Sequence, residues 1–267
     1  AATNTASGGT AITNTAWFSG SQLAGHTAAT YAATTSACVF SGDGVWSVFI
    51  ARCAAAPNAA IVIPVGSTVT LDANVDLGRN LTVQGTLVPN GKTVTLTGSA
   101  AQTLTGSPVQ FYKLVVSKTN KTDTVRIVGK LKVDKKLTIT RGSLISASDY
   151  EDIEIEGDGV MTLTNPISIS GSFTNGGTFY TDGSTVTFDG GVTQNLVLST
   201  LTQFDDVNVM TGTVLVETVS DDNAVINGTL TNYGVLRKTQ PVGALEEYYF
   251  GLAGRYSSGD MAVDVAT

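Results

Sequence analysis

Apolar residues alternate with threonine or charged residues in short runs along most of this chain. Examples are Thr68-Val69-Thr70-Leu71, Leu81-Thr82-Val83, Val125-Arg126-Ile127 and Ile153-Glu154-Ile155-Glu156. A period of two turns one set of side chains inward and the other to water, so each run predicts a short half-buried strand. Threonine, valine and isoleucine suit such a pleated surface. Between the runs, Asn90-Gly91, Asp158-Gly159, Asn175-Gly176-Gly177 and Asp182-Gly183 predict turns. A glycine, a hydroxyl residue and a large apolar residue recur as Gly85-Thr86-Leu87, Gly142-Ser143-Leu144, Gly171-Ser172-Phe173, Gly177-Thr178-Phe179 and Gly228-Thr229-Leu230. These phrases predict corners, where glycine takes the backbone angles a corner needs and the apolar residue returns to the core. No stretch shows helical periodicity with caps.

The strands themselves repeat. Valine-threonine phrases begin at threonines 68, 93, 138, 162 and 185, with gaps of 25, 45, 24 and 23 residues. The long gap is two steps, and Leu114-Val115-Val116-Ser117 stands at the skipped one. A repeat of about 23 residues lies in the range of solenoids and arrays. The expected fold is therefore all-β, a β-solenoid of the parallel β-helix kind. It would have about eight coils of roughly 23 residues, a rod on the order of 40 Å long, with distinct N- and C-terminal segments. A second repeat overlies the first. Gln102, Leu104 and Ser107 follow Thr93 at the same offsets, 9, 11 and 14, at which Gln194, Leu196 and Ser199 follow Thr185. The 92-residue shift reads as duplication of a block of about four coils.

Three segments emerge: 1–56, 57–240 and 241–267. Residues 1–50 hold one carboxylate, Asp43, one histidine, His26, and no lysine or arginine. Disordered tails are normally richer in charge, so this leader is expected to pack, as a cap on its own solenoid or as a docking piece for a neighbouring subunit. Trp17, Phe18, Tyr31, Phe40, Trp46 and Phe49 are its candidate anchors. The last segment carries the aromatic cluster Tyr248-Tyr249-Phe250 and a strand-like run, Met261-Ala262-Val263-Asp264-Val265-Ala266. It reads as a cap or a docking strand. The start Ala1-Ala2-Thr3 suits cleavage by a signal peptidase. In an exported protein, Cys38 and Cys53 would pair and stabilise the fold by roughly 3 kcal/mol; two buried thiols are the alternative.

Composition excludes several functions. The chain has 267 residues, 14% of them charged, and a net charge of −7. A nucleic-acid partner calls for a basic face, and no apolar run approaches a membrane helix. One histidine and two cysteines form no zinc pattern, there is no phosphate loop or dinucleotide signature, and no cofactor is expected. Asp205-Asp206 and Asp221-Asp222 read first as solvated turns, then as calcium ligands, then as catalytic carboxylates. Glu151, Asp152, Glu154 and Glu156 read as a solvated strand face. The paired threonines read as simple strand alternation rather than an ice-binding surface. The sequons at Asn80, Asn120 and Asn227 carry little weight in a threonine-rich chain.

The run Ile61-Val62-Ile63-Pro64-Val65-Gly66-Ser67-Thr68-Val69-Thr70-Leu71, continuing to Leu81-Thr82-Val83-Gln84-Gly85-Thr86-Leu87, resembles strand-rich secreted and outer-surface proteins of bacteria. The phrases Lys92 to Leu104 and Ser184 to Leu196 resemble them too. The resemblance covers about residues 57–240. It implies an adhesin, surface-layer, matrix or fibre component without an active site. The expectation is a non-enzymatic extracellular structural protein that polymerises head-to-tail, because heterologous contacts generate open filaments and strand addition at a solenoid end supplies a mechanism. The alternatives are a monomeric adhesin or glycan-binding module, and a polysaccharide-degrading β-helix enzyme. No nucleic-acid partner or membrane insertion is expected.

Overall fold

The computed structural model describes residues 37–218, 224–239, 251–252 and 255–257. They form an all-β parallel β-solenoid of about nine turns, with stacked coils of about 21 residues. Each coil offers three sides. Strands Ile61–Ile63, Thr68–Thr70 and Val75–Leu77 form one coil, and Leu81–Val83, Thr86–Val88 and Thr93–Leu96 pair with them in parallel as the next.

Columns of inward residues run up the rod. The first side stacks Cys38, Ile61, Leu81, Leu104 and Ile127. The second side later stacks Tyr150, Ile169, Phe188, Val209 and Asn232. The third side stacks Val75, Val94, Leu114, Leu137, Ile153, Phe173, Leu196 and Glu217. Leu137 and Ile153 stand only 16 residues apart, whereas Phe173 and Leu196 stand 23 apart. Alternation survives in every side, with Val94, Leu114, Leu137, Ile153 and Phe173 almost fully buried. Further along, Phe173, Phe179 and Phe204 fill the core with ring centroids 5.0 to 6.0 Å apart, offset geometries that favour aromatic contact.

The coils are more numerous and shorter than the valine-threonine phrase implies. The phrase does not mark one side. At 68 and 185 it lies on the second side, at 93 and 138 on the third, and at 162 on the first. Leu114-Val115-Val116 does stack between the phrases at 93 and 138. The 92-residue block also differs from the expected whole number of coils. Leu81 belongs to the first-side column and Phe173, 92 residues on, to the third. The block recurs after four coils and two further sides.

All five glycine-hydroxyl-apolar phrases begin strands or sides, and Leu87, Leu144, Phe173, Phe179 and Leu230 are all buried. The reason for the glycine is mainly proximity. A Cβ at Gly85 would lie 2.3 Å from the Pro64 carbonyl oxygen, one at Gly177 2.3 Å from that of Glu156, and one at Gly228 2.4 Å from Asp206 Oδ1. Of the five, only Gly142 has a positive φ, 102°. Asn90-Gly91 and Asp182-Gly183 are the turns that do need left-handed angles, with Asn90 at φ 46° and Asp182 at 49°. Pro89 and Thr181 carbonyls close those turns on Lys92 and Ser184 amides at 2.9 Å each, as expected for hairpin-like primed turns. Asp158-Gly159 makes no separate turn: it marks the corner onto the first side within the continuous strand Asp149–Leu163, where a Cβ at Gly159 would lie 2.3 Å from the Ile139 carbonyl oxygen.

One helix, Trp46–Arg52, appears where none was expected. It has seven residues and Val45 at its N-cap without a side-chain hydrogen bond. Such a piece is marginal alone, and packing holds it. Phe40 is fully buried, with the Trp46 ring edge-on at 5.2 Å and the Phe49 ring stacked at 5.1 Å. A Cys38–Cys53 disulfide, Cα to Cα 5.8 Å, ties the helix end to the first coil.

Candidate functional site

Most outward carboxylates and amides hold neighbouring coils together. Asn74 Oδ1 accepts from the Thr93 amide at 3.0 Å, Asn80 Oδ1 from Thr103 at 2.8 Å and Asp149 Oδ1 from Ser168 at 3.0 Å. Asp152 Oδ1 accepts from Ser172 at 2.7 Å, and Asp206 Oδ1 from Thr229 at 2.6 Å. Each bond spans one coil and satisfies an amide at a corner, where the sheet ladder is interrupted. Asp205 belongs to this system. Its Oδ2 accepts from the Thr181 hydroxyl at 2.6 Å and the Gly183 amide at 2.5 Å. Asp205 and Asp206 are therefore inter-coil fasteners rather than free turn residues. Glu151-Asp152 with Gly171-Ser172 repeats the arrangement of Asp205-Asp206 with Gly228-Thr229: the Gly171 and Gly228 amides donate to the Glu151 and Asp205 carbonyls at 2.8 Å.

A cleft of about 550 Å³ opens on the second side near mid-rod. Lys130 and Lys132 line it from one coil, Asp149 and Glu151 from the next, and Ser168, Ser170 and Asp189 from the following two. The floor is Leu131, Val133 and Tyr150, all buried. Register shifts in Thr124–Ser146 after Gly129 and Val133 interrupt the flat ladder there. The cleft's charges largely answer one another. Asp134 meets Lys132 Nζ at 3.2 Å and Gln110 Nε2 at 2.8 Å, and Lys135 Nζ donates to both Glu151 oxygens at 2.9 and 3.1 Å. Hydrogen bonding to Glu151 raises the Lys135 pKa. Burial pushes the Tyr150 hydroxyl up to about 12, although Ser146 Oγ lies 2.6 Å away. Tyr150 thus stays neutral and inward, so the cleft has a charged and hydroxyl rim over a largely apolar floor.

The strand face Glu151, Asp152, Glu154 and Glu156 is only partly solvated as expected. Glu154 pairs with Lys136 at 2.8 Å, and Asp152 serves the Ser172 amide. Trp46 faces its own first coil. Trp17, Phe18, Tyr31, Tyr248, Tyr249 and Phe250 lie outside the described residues, as do His26 and Asp221-Asp222. Asn120 and Asn227 are exposed, and Asn120 sits in a turn closed by its carbonyl and the Asp123 amide at 3.1 Å. Among the described residues no group of three or more His, Cys, Asp or Glu could hold a metal ion, and no helix is long and apolar enough to cross a membrane.

Two buried features escape sequence reading. Lys118 is 3% exposed, and its Nζ donates to Gln102 Oε1 at 2.6 Å, the Thr97 carbonyl at 2.7 Å and the Ala100 carbonyl at 2.9 Å. Desolvation lowers its pKa, opposed by the Asp123 charge. Glu217 is 1% exposed in a column that is apolar in the coils before it. A lone glutamate within a strand, or a lone lysine just after one, gives no signal of this kind.

No protein-family model, curated protein or solved structure matches the chain.

Proposed function

We propose that this chain is a non-catalytic extracellular structural protein, a rigid shaft that serves as subunit of a self-assembling filament or matrix. The observation that carries this reading is the use of outward polar groups: they fasten one coil to the next instead of converging on a reacting atom. The Cys38–Cys53 disulfide supports an oxidising, exported setting. The helical cap shapes the assembly mode. Strands Cys38–Val39 and Gly44–Val45 are two residues each, with Trp46–Arg52 packed beside them on Phe40, so the first coil offers only a short edge for strand addition. Head-to-tail contact then runs through residues 1–36 against the far end of a neighbour.

Negative-stain electron microscopy of the full chain and of a chain lacking residues 1–36 tests this. Filaments from the first and single rods from the second are expected. Single rods from both would overturn the filament reading. The polar rim of the cleft favours one second reading, a glycan-binding module, in which hydroxyls of a saccharide meet Lys130, Asp149, Ser168 and Asp189. Retention on immobilised polysaccharide, lost in Lys130→Ala, would favour it.

A further inference from the structure

We propose that the charged belt at mid-rod is a self-docking surface on which a second copy of this chain lies side by side and antiparallel. The inference is independent of end-to-end assembly.

The charge of this molecule is concentrated in one zone. Nine of the fifteen basic residues fall between Lys113 and Arg141, and six acidic residues fall between Asp149 and Asp158. Register places Lys132, Lys135, Lys136 and Arg141 in one positive ring beside the negative ring of 149–158, while Lys113 lies one coil further, below Lys136, and Lys118 is buried. Lys132 pairs with Asp149 on the second side, Lys136 with Asp152 on the third, and Arg141 with Asp158 where the chain turns onto the first. A positive ring therefore lies one coil, about 4.8 Å, from a negative ring. Flanking surface is nearly uncharged: residues 159–181 carry no Asp, Glu, Lys or Arg, and 80–112 carry only Lys92. Residues 113–158 hold nine basic and eight acidic groups, a net +1, while the whole chain is −7. The belt is thus the zone in which two copies approach without net repulsion.

Geometry selects the orientation. A two-fold axis perpendicular to the rod and passing between the rings places each positive ring against the partner's negative ring, an isologous contact. Parallel rods in register set like against like, and parallel rods slipped by one coil pair only one ring from each. The belt side chains remain available: Lys132, Lys135, Arg141 and Asp158 side chains are 61%, 49%, 51% and 54% exposed. Exposed intramolecular pairs such as Arg141–Asp158, 3.0 Å apart, hold weakly in water, so exchange with a partner costs little.

Sedimentation velocity of the full chain tests the proposal, with two charge-reversed variants. Both reverse charges of the same side: one carries Lys135→Glu and Lys136→Glu; the other carries Glu151→Lys and Glu154→Lys. The native chain is expected to dimerise at low salt, with association falling about tenfold or more between ~0.05 and ~0.5 M NaCl as the screening length shrinks. Each variant alone is expected to be monomeric, and their mixture to restore a dimer. A native chain that is monomeric at low salt overturns the proposal, as does a dimer insensitive to both salt and reversal. If either variant fails to fold, the native salt series decides alone. Filaments without salt-dependent dimers would remove this inference and leave the structural reading standing; dimers without filaments would do the reverse.

Discussion

The corners at Gln102 and Gln194 are the same local structure built on different sides of the rod. Gln102 Nε2 donates to the Leu77 carbonyl at 2.7 Å and the Arg79 carbonyl at 3.1 Å. Gln194 Nε2 donates to Ile169 at 2.7 Å and Gly171 at 2.6 Å. Both glutamines are buried. The Thr97 and Asp189 amides donate to the same Leu77 and Ile169 carbonyls at 3.0 and 3.1 Å. Every partner is displaced by 92 residues, yet the column assignments show the second copy one side away from the first. A buried glutamine corner is therefore a local module, indifferent to which side of the three-sided section carries it. The copies differ at the amide oxygen. Gln102 Oε1 accepts from buried Lys118, whereas Gln194 Oε1 accepts from the Gly190 amide at 3.1 Å. The position matching Lys118 is Met210, 41% exposed. One copy has taken a charge into its corner and the other closes on backbone alone.

Substitutions can break this comparison. Gln102→Leu is expected to have the largest effect, about 4 kcal/mol in denaturant unfolding, because it leaves the Arg79 carbonyl without its donor and removes an acceptor from a buried ammonium. Gln194→Leu is expected to cost about 2 kcal/mol, since it strands the Gly171 carbonyl but no charge. Equal losses at the two sites would show that Lys118 adds nothing. Lys118→Met, which copies the residue of the second block, is expected to cost only about 1 kcal/mol, as relief of desolvation offsets the lost hydrogen bonds. Combined with Gln102→Leu it should be non-additive, and combined with Gln194→Leu, several coils away, additive.

The smallest expected effect is one of pH. The folded pKa of Lys118 lies below the ordinary lysine value of 10.5. Between those two values the unfolded chain binds more protons, so stability gains from this group as pH rises through that window. The stability difference between the native chain and Lys118→Met should shift in favour of the native chain as pH approaches 10.5 from below. A difference that stays flat, or moves the other way, would contradict burial as the dominant cause.

Much of the fold was legible in the sequence because a solenoid repeats its signals. Alternation marked Thr93–Leu96 and its neighbours, the glycine phrases marked corners, and an exported setting implied the Cys38–Cys53 disulfide. The number of coils was less legible, since Thr-Val-Thr fits any outward-inward-outward segment and so appears on all three sides. The helix Trp46–Arg52 was illegible because aromatic packing on Phe40, not caps, stabilises it. The role of Asp205 and Asp206 was hidden for a similar reason: their partners, Thr181, Gly183 and Thr229, sit one coil away. The glutamine offsets did expose the repeated corner, but not the buried lysine that distinguishes its two copies.

Hydrogen–deuterium exchange of the full chain, read by mass spectrometry, tests the central claim that polar side chains weld the coils into one rigid shaft. Slow exchange is expected at the corners as well as in the strands, including the Thr93, Thr103, Ser168, Ser172 and Thr229 amides that Asn and Asp of neighbouring coils accept from. Rapid exchange at those corners between protected strands would contradict it, and would return the outward carboxylates to the role of mobile surface groups free to bind a ligand.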